Sequence, residues 1–473
     1  MKMPRYRFYL SILIVLYFAA GAWVTFSSTM RPEIYFLLCL LMIVISIPFY
    51  YGSSSGDIFS PHSFIWISVF LGTSLKLYYV YANYNLDEVI SFADGVSEAQ
   101  LATALVFLTA CGFFYVSGFL MAGNKYINLP EYEFSKIGSI PQKVYVFAFA
   151  ILGIVASAYL YKVFNISLSD FASLSRKRNA DDLEGGGGLV GIFRTLSQFC
   201  FYIAIILMMA YYKKNDIINR QKWLVVIALV FISSIFPFMI SSRSLIVYNL
   251  ITLMMLRHYF YKPLKFEEIL KVVVPIVVVI GVMGGLRGFA HGQSEDLEFS
   301  IVDQFLSSIF LKHNMVDIYK ISLMLEIFPR EHPFLYGKTV FAWFFYLLPD
   351  WMVDNVVLRP GPFYGQVLFG LGENVRTGSP PSLFGEMYSN FGLALSLLSS
   401  FIYGVAIKIF YNTFVNNNNA VFSLIYMMCI IWVSFFLVGG DVSGTMLKIA
   451  VLSVTAIVLS VSYKRLGGIR FNL

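Results

Sequence analysis

Cations set inside or beside long apolar segments are the residues of this chain best placed to do chemistry. The sharpest case is the break "SSRS" at residues 241–244, between two stretches greasy enough to cross a membrane. Ser242 and Ser244 are good helix caps, so a helix starting here presents free backbone N–H groups and the positive end of its dipole. A guanidinium at Arg243 turns that start into an anion site. Arg287 in "GGLRGF", Arg194 with Gln198 one turn along the same face, Lys76 and Lys448 lie at similar depth in other apolar segments. An ionisable residue within a span costs several kcal/mol unless paired or wetted, so five toward one side imply a shared polar cavity. The run Arg176, Lys177, Arg178 reaches the same mouth. Each has a blander reading: Lys76 snorkels to the interface, Lys448 pairs with Asp441, and "RKRNADD" is a solvated, self-neutralising run. An anion reached from within a membrane is a lipid phosphate or pyrophosphate, which the planar fork of arginine bonds in pairs.

The elements that must position these residues follow from composition. Of 473 residues 58% are hydrophobic and 13% charged, with a mean hydropathy of +0.73, which describes a polytopic membrane protein. The net charge of +7 comes from short loops between apolar segments, not from a long basic run, which excludes nucleic acid as a partner. Cys39, Cys111, Cys200 and Cys429 all fall inside apolar segments, so neither a disulfide framework nor a cysteine metal site is expected. Residues 8–26 are long enough to span and show no cleavage pattern, and read as the first anchor.

A window of about 20 apolar residues predicts twelve spans, near 8–26, 34–51, 63–81, 101–122, 143–163, 189–212, 222–240, 244–261, 268–286, 382–408, 420–438 and 442–463. The expected organisation is all-α: 1–287 with nine spans and an outer loop near 164–188, 288–381 as a large outer loop, and 382–473 with the last three spans. Basic residues in the N-terminus, 213–222, 257–265 and the C-terminal tail put both termini on the cytoplasmic side. Within the large loop, 299–326 has apolar residues at helical spacing, which predicts an amphipathic helix on the outer membrane surface. No internal repeat is visible.

Three short motifs carry a resemblance: "SSRS" between two spans, "YG.T......LLP" (Tyr336, Gly337, Thr339, Leu347, Leu348, Pro349) in the large loop, and "GE.Y.NFG" (Gly385, Glu386, Tyr388, Asn390, Phe391, Gly392) opening the next span. In these the chain resembles the Wzy-type O-antigen and capsule polymerases, the oligosaccharide repeat unit polymerases. Asp350 stands where many relatives have arginine. The resemblance implies an inner-membrane, metal-independent glycosyltransferase of GT-C-like architecture, with a large periplasmic loop and an active site facing the periplasm. It implies transfer of a glycan from undecaprenyl pyrophosphate to a new lipid-linked repeat unit, with a chain-length regulator as a further partner beside membrane lipids. An O-antigen ligase using the same donor, and a polysaccharide or lipid transporter, are the alternatives.

Such a reaction needs charge stabilised on the leaving group and the acceptor hydroxyl deprotonated. The first falls to Arg243 and Arg287, with Arg194 and Arg178 next. For the second, Glu386 is the first candidate and His313 the other. Structurally, Glu386 would cap the start of its own helix or pair with an arginine, and His313 would be a surface residue. Tyr336, Tyr388 and Trp343 would stack on sugar faces or anchor at the membrane interface. Asp350 and Asp354 have i, i+4 spacing but no accompanying ligand cluster, so neither a metal nor a cofactor is expected.

Overall fold

The computed structural model describes residues 14–15, 18–25, 30–51, 57–83, 96–132, 140–163, 193, 196–212, 220–239, 243–265, 267–275, 315–346, 360–370 and 381–467. In chain order the main helices are α1 (Pro32–Tyr51), α2 (Pro61–Val69, continuing through a π-helical stretch Phe70–Leu75 into Lys76–Asn83), α3 (Glu98–Ala122) and α4 (Ile140–Val163). They are followed by α5 (Phe199–Tyr212), α6 (Arg220–Met239), α7 (Arg243–Leu256), α8 (Ile318–Ile327) and α9 (Pro360–Phe369). The last are α10 (Leu383–Asn416), α11 (Ala420–Ile431, continuing through Trp432–Phe436 into Leu437–Gly439) and α12 (Val442–Gly467). Among the described residues there is no strand, only an isolated bridge between Tyr132 and Asn419.

Seven helices among the described residues are long and apolar enough to cross a membrane: α1 to α4 and α10 to α12. The chain is an all-helical, polytopic membrane protein. Shorter apolar stretches, Phe199–Ala210 and Leu224–Ile235, lie in α5 and α6. Local signals set several helix starts. Pro61 opens α2 just after Ser60, and Ser97 with Gln100 forms a reciprocal capping box at α3, each bonding the other's backbone N–H.

The chain divides into two compact units. The first comprises 1–128, 310–417 and 429–451; the second comprises 129–309, 418–428 and 452–473. In the first, α3 and α10 approach closely because glycines face each other's backbone. A Cβ on Gly118 would stand 2.1 Å from the Phe401 carbonyl oxygen, and one on Gly404 2.1 Å from that of Tyr115. Leu38 and Leu41 of α1, Ile65 and Val69 of α2, Leu105 and Leu108 of α3 and Ile321 of α8 share one core.

Helix α8 covers the end of the segment 299–326 expected to form an amphipathic helix; residues 299–314 of that segment lie outside the described residues. The four leading residues of α8, Ile318, Tyr319, Lys320 and Ile321, are all buried. It packs into the core of the first unit, and its lead-in is tied to α2 by the Thr73 hydroxyl, which donates to the Val316 carbonyl at 2.9 Å. Apolar spacing alone does not separate a surface helix from one whose polar residues find buried partners. In the second unit, residues 201–210 of α5 are buried without a break, the mark of a helix surrounded on all sides. Gln198 Nε2 donates to the Ser233 carbonyl of α6 at 3.2 Å.

Candidate functional site

The site is built where α10 begins and then breaks. Ser382 caps its start, accepting from the Gly385 N–H at 3.3 Å. Two turns later Gly392 sits at φ 74°, a left-handed conformation that glycine tolerates without steric cost, and interrupts the helix. The Ser389 and Asn390 carbonyls accept instead from the N–H groups of Leu335 and Tyr336, each at 3.0 Å. Asn390 completes the joint: its Oδ1 accepts from Gly337 N at 3.0 Å, and its Nδ2 donates to Thr339 Oγ1 and to the Glu386 carbonyl, both at 2.7 Å. The segments "YGKT" and "GEMYSNFG", some fifty residues apart, are thus one hydrogen-bonded piece. Helix α9 adds the Tyr364 hydroxyl, 2.6 Å from Ser389 Oγ and 3.3 Å from Thr339 Oγ1. Burial and the nearby Glu386 hold that phenol well above its ordinary pKa, so it stays a neutral donor. From α12 the Ser443 hydroxyl donates to the Thr339 carbonyl and accepts from Trp343 N–H at 3.2 Å.

Glu386 lies inside this frame, fully buried. Its Oε2 accepts from Val442 N at 2.7 Å, so it caps α12, not its own helix as one sequence reading had it. Its Oε1 is buried without a hydrogen-bond partner, although the Thr339 side chain and the Asp441 carboxylate lie close enough to act on it. Asp441, partly exposed, accepts from Gly444 N through Oδ1. Two carboxylates therefore sit on the free N–H groups of one helix start, where the dipole favours negative charge. Burial pushes the Asp441 carboxyl above its ordinary value, opposed by the Gly444 N–H.

A second cluster in the same unit has mixed sign. Lys76 Nζ meets Asp317 Oδ2 at 2.7 Å with both side chains buried, and lies 5.1 Å from the Tyr319 ring centre. Asp317 also caps α8 by accepting from Tyr319 N at 3.2 Å. Buried Lys320 is held down at about 8 by desolvation, with Lys76 adding to the effect and Asp317 opposing it. Elsewhere in the unit, Lys408 Nζ stands 4.9 Å from the Phe119 ring and 5.3 Å from that of Tyr411, whose hydroxyl donates to Asp57 at 2.6 Å.

Of the residues the sequence singled out, Glu386 is at the joint, and Tyr388, Tyr336 and Trp343 lie around it in packing or backbone roles. The Tyr388 hydroxyl donates to the Phe328 carbonyl at 3.1 Å, and its ring is set edge-on to Phe107 and Phe334. Tyr336 is 77% exposed and bonds the joint through its backbone, while Trp343 stacks on Phe344 at 3.7 Å. Lys76 is buried and paired with Asp317 rather than snorkelling to an interface. Lys448 Nζ lies 4.5 Å from the Trp432 ring centre. Helix α7 begins at Arg243, whose side chain, together with Arg178, Arg194, Arg287 and His313, lies outside the described residues. Among the described residues no three His, Cys, Asp or Glu side chains converge to hold a metal ion.

Sequence reasoning missed Tyr364, Ser389 and Ser443, gave Thr339 and Asn390 no role, and weighed Asp441 only as a partner for Lys448. Asp441 carried a usable signal, an acidic residue just ahead of an apolar run after two glycines, which marks a helix cap. Tyr364 carried none. No protein-family model matches this chain, and no curated protein or solved structure matches it.

Proposed function

We propose that this chain polymerises undecaprenyl-pyrophosphate-linked oligosaccharide repeat units into surface polysaccharide, O-antigen or capsule, at the periplasmic face of the bacterial inner membrane. The observation that carries the reading is a fully buried carboxylate, Glu386, with one oxygen unpartnered, held where the two family-like segments bond each other. A catalytic carboxylate needs such a rigid frame, since a misplacement of about 1 Å costs on the order of 100-fold in rate. In this reading the chain crosses the membrane twelve times with both termini cytoplasmic, and 288–381 forms the periplasmic loop. Arg243 and Arg287, with Arg194 and Arg178 next, take the charge developing on the lipid pyrophosphate, without metal. The acceptor hydroxyl loses its proton to the carboxylates gathered at the joint, with His313 the other candidate base.

Purified protein in detergent micelles, given lipid-linked repeat units extracted from the source cells, is expected to yield a ladder of longer lipid-linked glycans. Micelles have no two compartments, so a ladder excludes pure transport. Product only when a lipid A core is added would replace polymerase with ligase, and no product under either condition would end the reading.

A further inference from the structure

Glu386 presents a difficulty for any reading in which it alone removes a proton. Its side chain has no exposed surface, and one of its oxygens is committed to Val442 N. A general base must come within about 3 Å of the hydroxyl it serves, directly or through one water. Asp441 meets that need. It is partly exposed, it immediately precedes the residue whose N–H Glu386 holds, and its Oδ1 is fixed by Gly444 N at the first turn of α12. The side chains acting on Glu386 are the Asp441 carboxylate and the Thr339 hydroxyl, and Glu386 in turn acts on the Tyr364 phenol of α9.

We infer that Asp441 is the catalytic base, the group that meets the acceptor hydroxyl, and that Glu386 behind it is a positioning residue. The inference rests on the polymerase reading. Two carboxylates brought to one helix start cannot both ionise freely, so the pair titrates as a unit. The partly exposed member exchanges protons with substrate and water. The buried member holds the start of α12, and with it the direction in which Asp441 points.

In the step itself, the acceptor oxygen forms a bond to the anomeric carbon of the donor glycan while the bond from that carbon to the pyrophosphate oxygen breaks. The electron pair of the broken bond leaves on the lipid pyrophosphate. The hydroxyl proton passes to the Asp441 carboxylate and from there to water, which returns the pair to its starting state.

The test compares Asp441→Asn, Asp441→Ser and Glu386→Gln with wild-type protein in the micelle assay, with lipid-linked repeats as the probe. Asn and Ser both cap helices, so each keeps an acceptor for Gly444 N while removing the base. Each is expected to lower kcat on the order of 100-fold with KM within about twofold, with the melting temperature of wild type. Glu386→Gln keeps an acceptor for Val442 N; it should retain measurable turnover and reduce the two ionisations of the wild-type pH profile to one. Glu386→Ala, lacking the acceptor, should be slower than Glu386→Gln. Wild-type turnover in either Asp441 variant overturns the inference and leaves the polymerase reading standing. So does complete loss in Glu386→Gln beside an active Asp441 variant, which would make Glu386 the base. A wild-type protein that builds no ladder removes the reading and the inference together.

Discussion

At Lys76 and Asp317 a buried cation meets a buried anion at 2.7 Å, whereas at Glu386 and Asp441 two carboxylates gather on the first turn of α12. Both clusters belong to the first compact unit, and both set charge among apolar neighbours. They differ in what is left over. In the first, each charge has its counter-charge, and Asp317 also caps α8, so the arrangement joins α8 to α2. In the second, two like charges accept from backbone N–H groups at one helix start with no cation between them among the described contacts, and Glu386 Oε1 has no hydrogen-bond partner. Opposite charges at close range resolve burial by pairing. Like charges resolve it only by taking up a proton or meeting a ligand, which is why the second cluster is read as a working site.

The contrast is easiest to break at Asp317. Asp317→Ala leaves Lys76 buried without its partner and is expected to cost about 3–5 kcal/mol of stability, read as a lowered unfolding midpoint in detergent. Replacing both partners, Lys76→Met with Asp317→Leu, should restore most of that loss, and failure to do so would mean that Asp317 matters chiefly as the cap of α8. Next in size is Tyr364→Phe, which takes a hydroxyl from Ser389 and Thr339 and should cost about 1–3 kcal/mol by the same measurement. An unchanged midpoint there would separate α9 from the joint.

Glu386→Gln sharpens the comparison from the other side. It keeps the acceptor for Val442 N while removing a like charge beside Asp441, so stability should stay within about 1 kcal/mol of wild type or rise. A fall as large as that of Asp317→Ala would make the two clusters the same kind of object. The remaining test varies pH. Buried Lys320 is held at about 8 while its ordinary value is 10.5, so between these values the unfolded chain binds the extra proton. Stability from this group therefore rises as pH increases from about 8 to 10.5, and Lys320→Met should flatten melting curves taken across that window.

How much of this was legible beforehand depended on the range of the interaction. The membrane helices followed from hydropathy, because a span must bury its backbone within about 20 residues of its own chain. Pro32–Tyr51, Glu98–Ala122 and Val442–Ser462 lie close to where apolar length put them. Glu386 stood out because it lies in the segment "GE.Y.NFG" that carries the resemblance, at the start of a predicted span. The burial of Lys320 was not legible, since periodicity records which residues are apolar and not whether a lysine has a buried place to go. Asp441, weighed as a partner for Lys448, receives Gly444 N, and Lys448 Nζ lies over the Trp432 ring.

By itself the sequence determined that this chain is a helical membrane protein, and it determined the local caps and breaks: Ser97 with Gln100, Ser382 and Gly392. Those depend on side chains within a few residues of one another. Tertiary structure alone decided that Asn390 would clamp Gly337 and Thr339, that Lys76 would find Asp317 some 240 residues away, and that Glu386 would cap α12 beside Asp441. Each of these joins polar groups remote in the chain, and a buried polar group must take whatever partner the folded backbone brings within 3 Å, which no local spacing encodes.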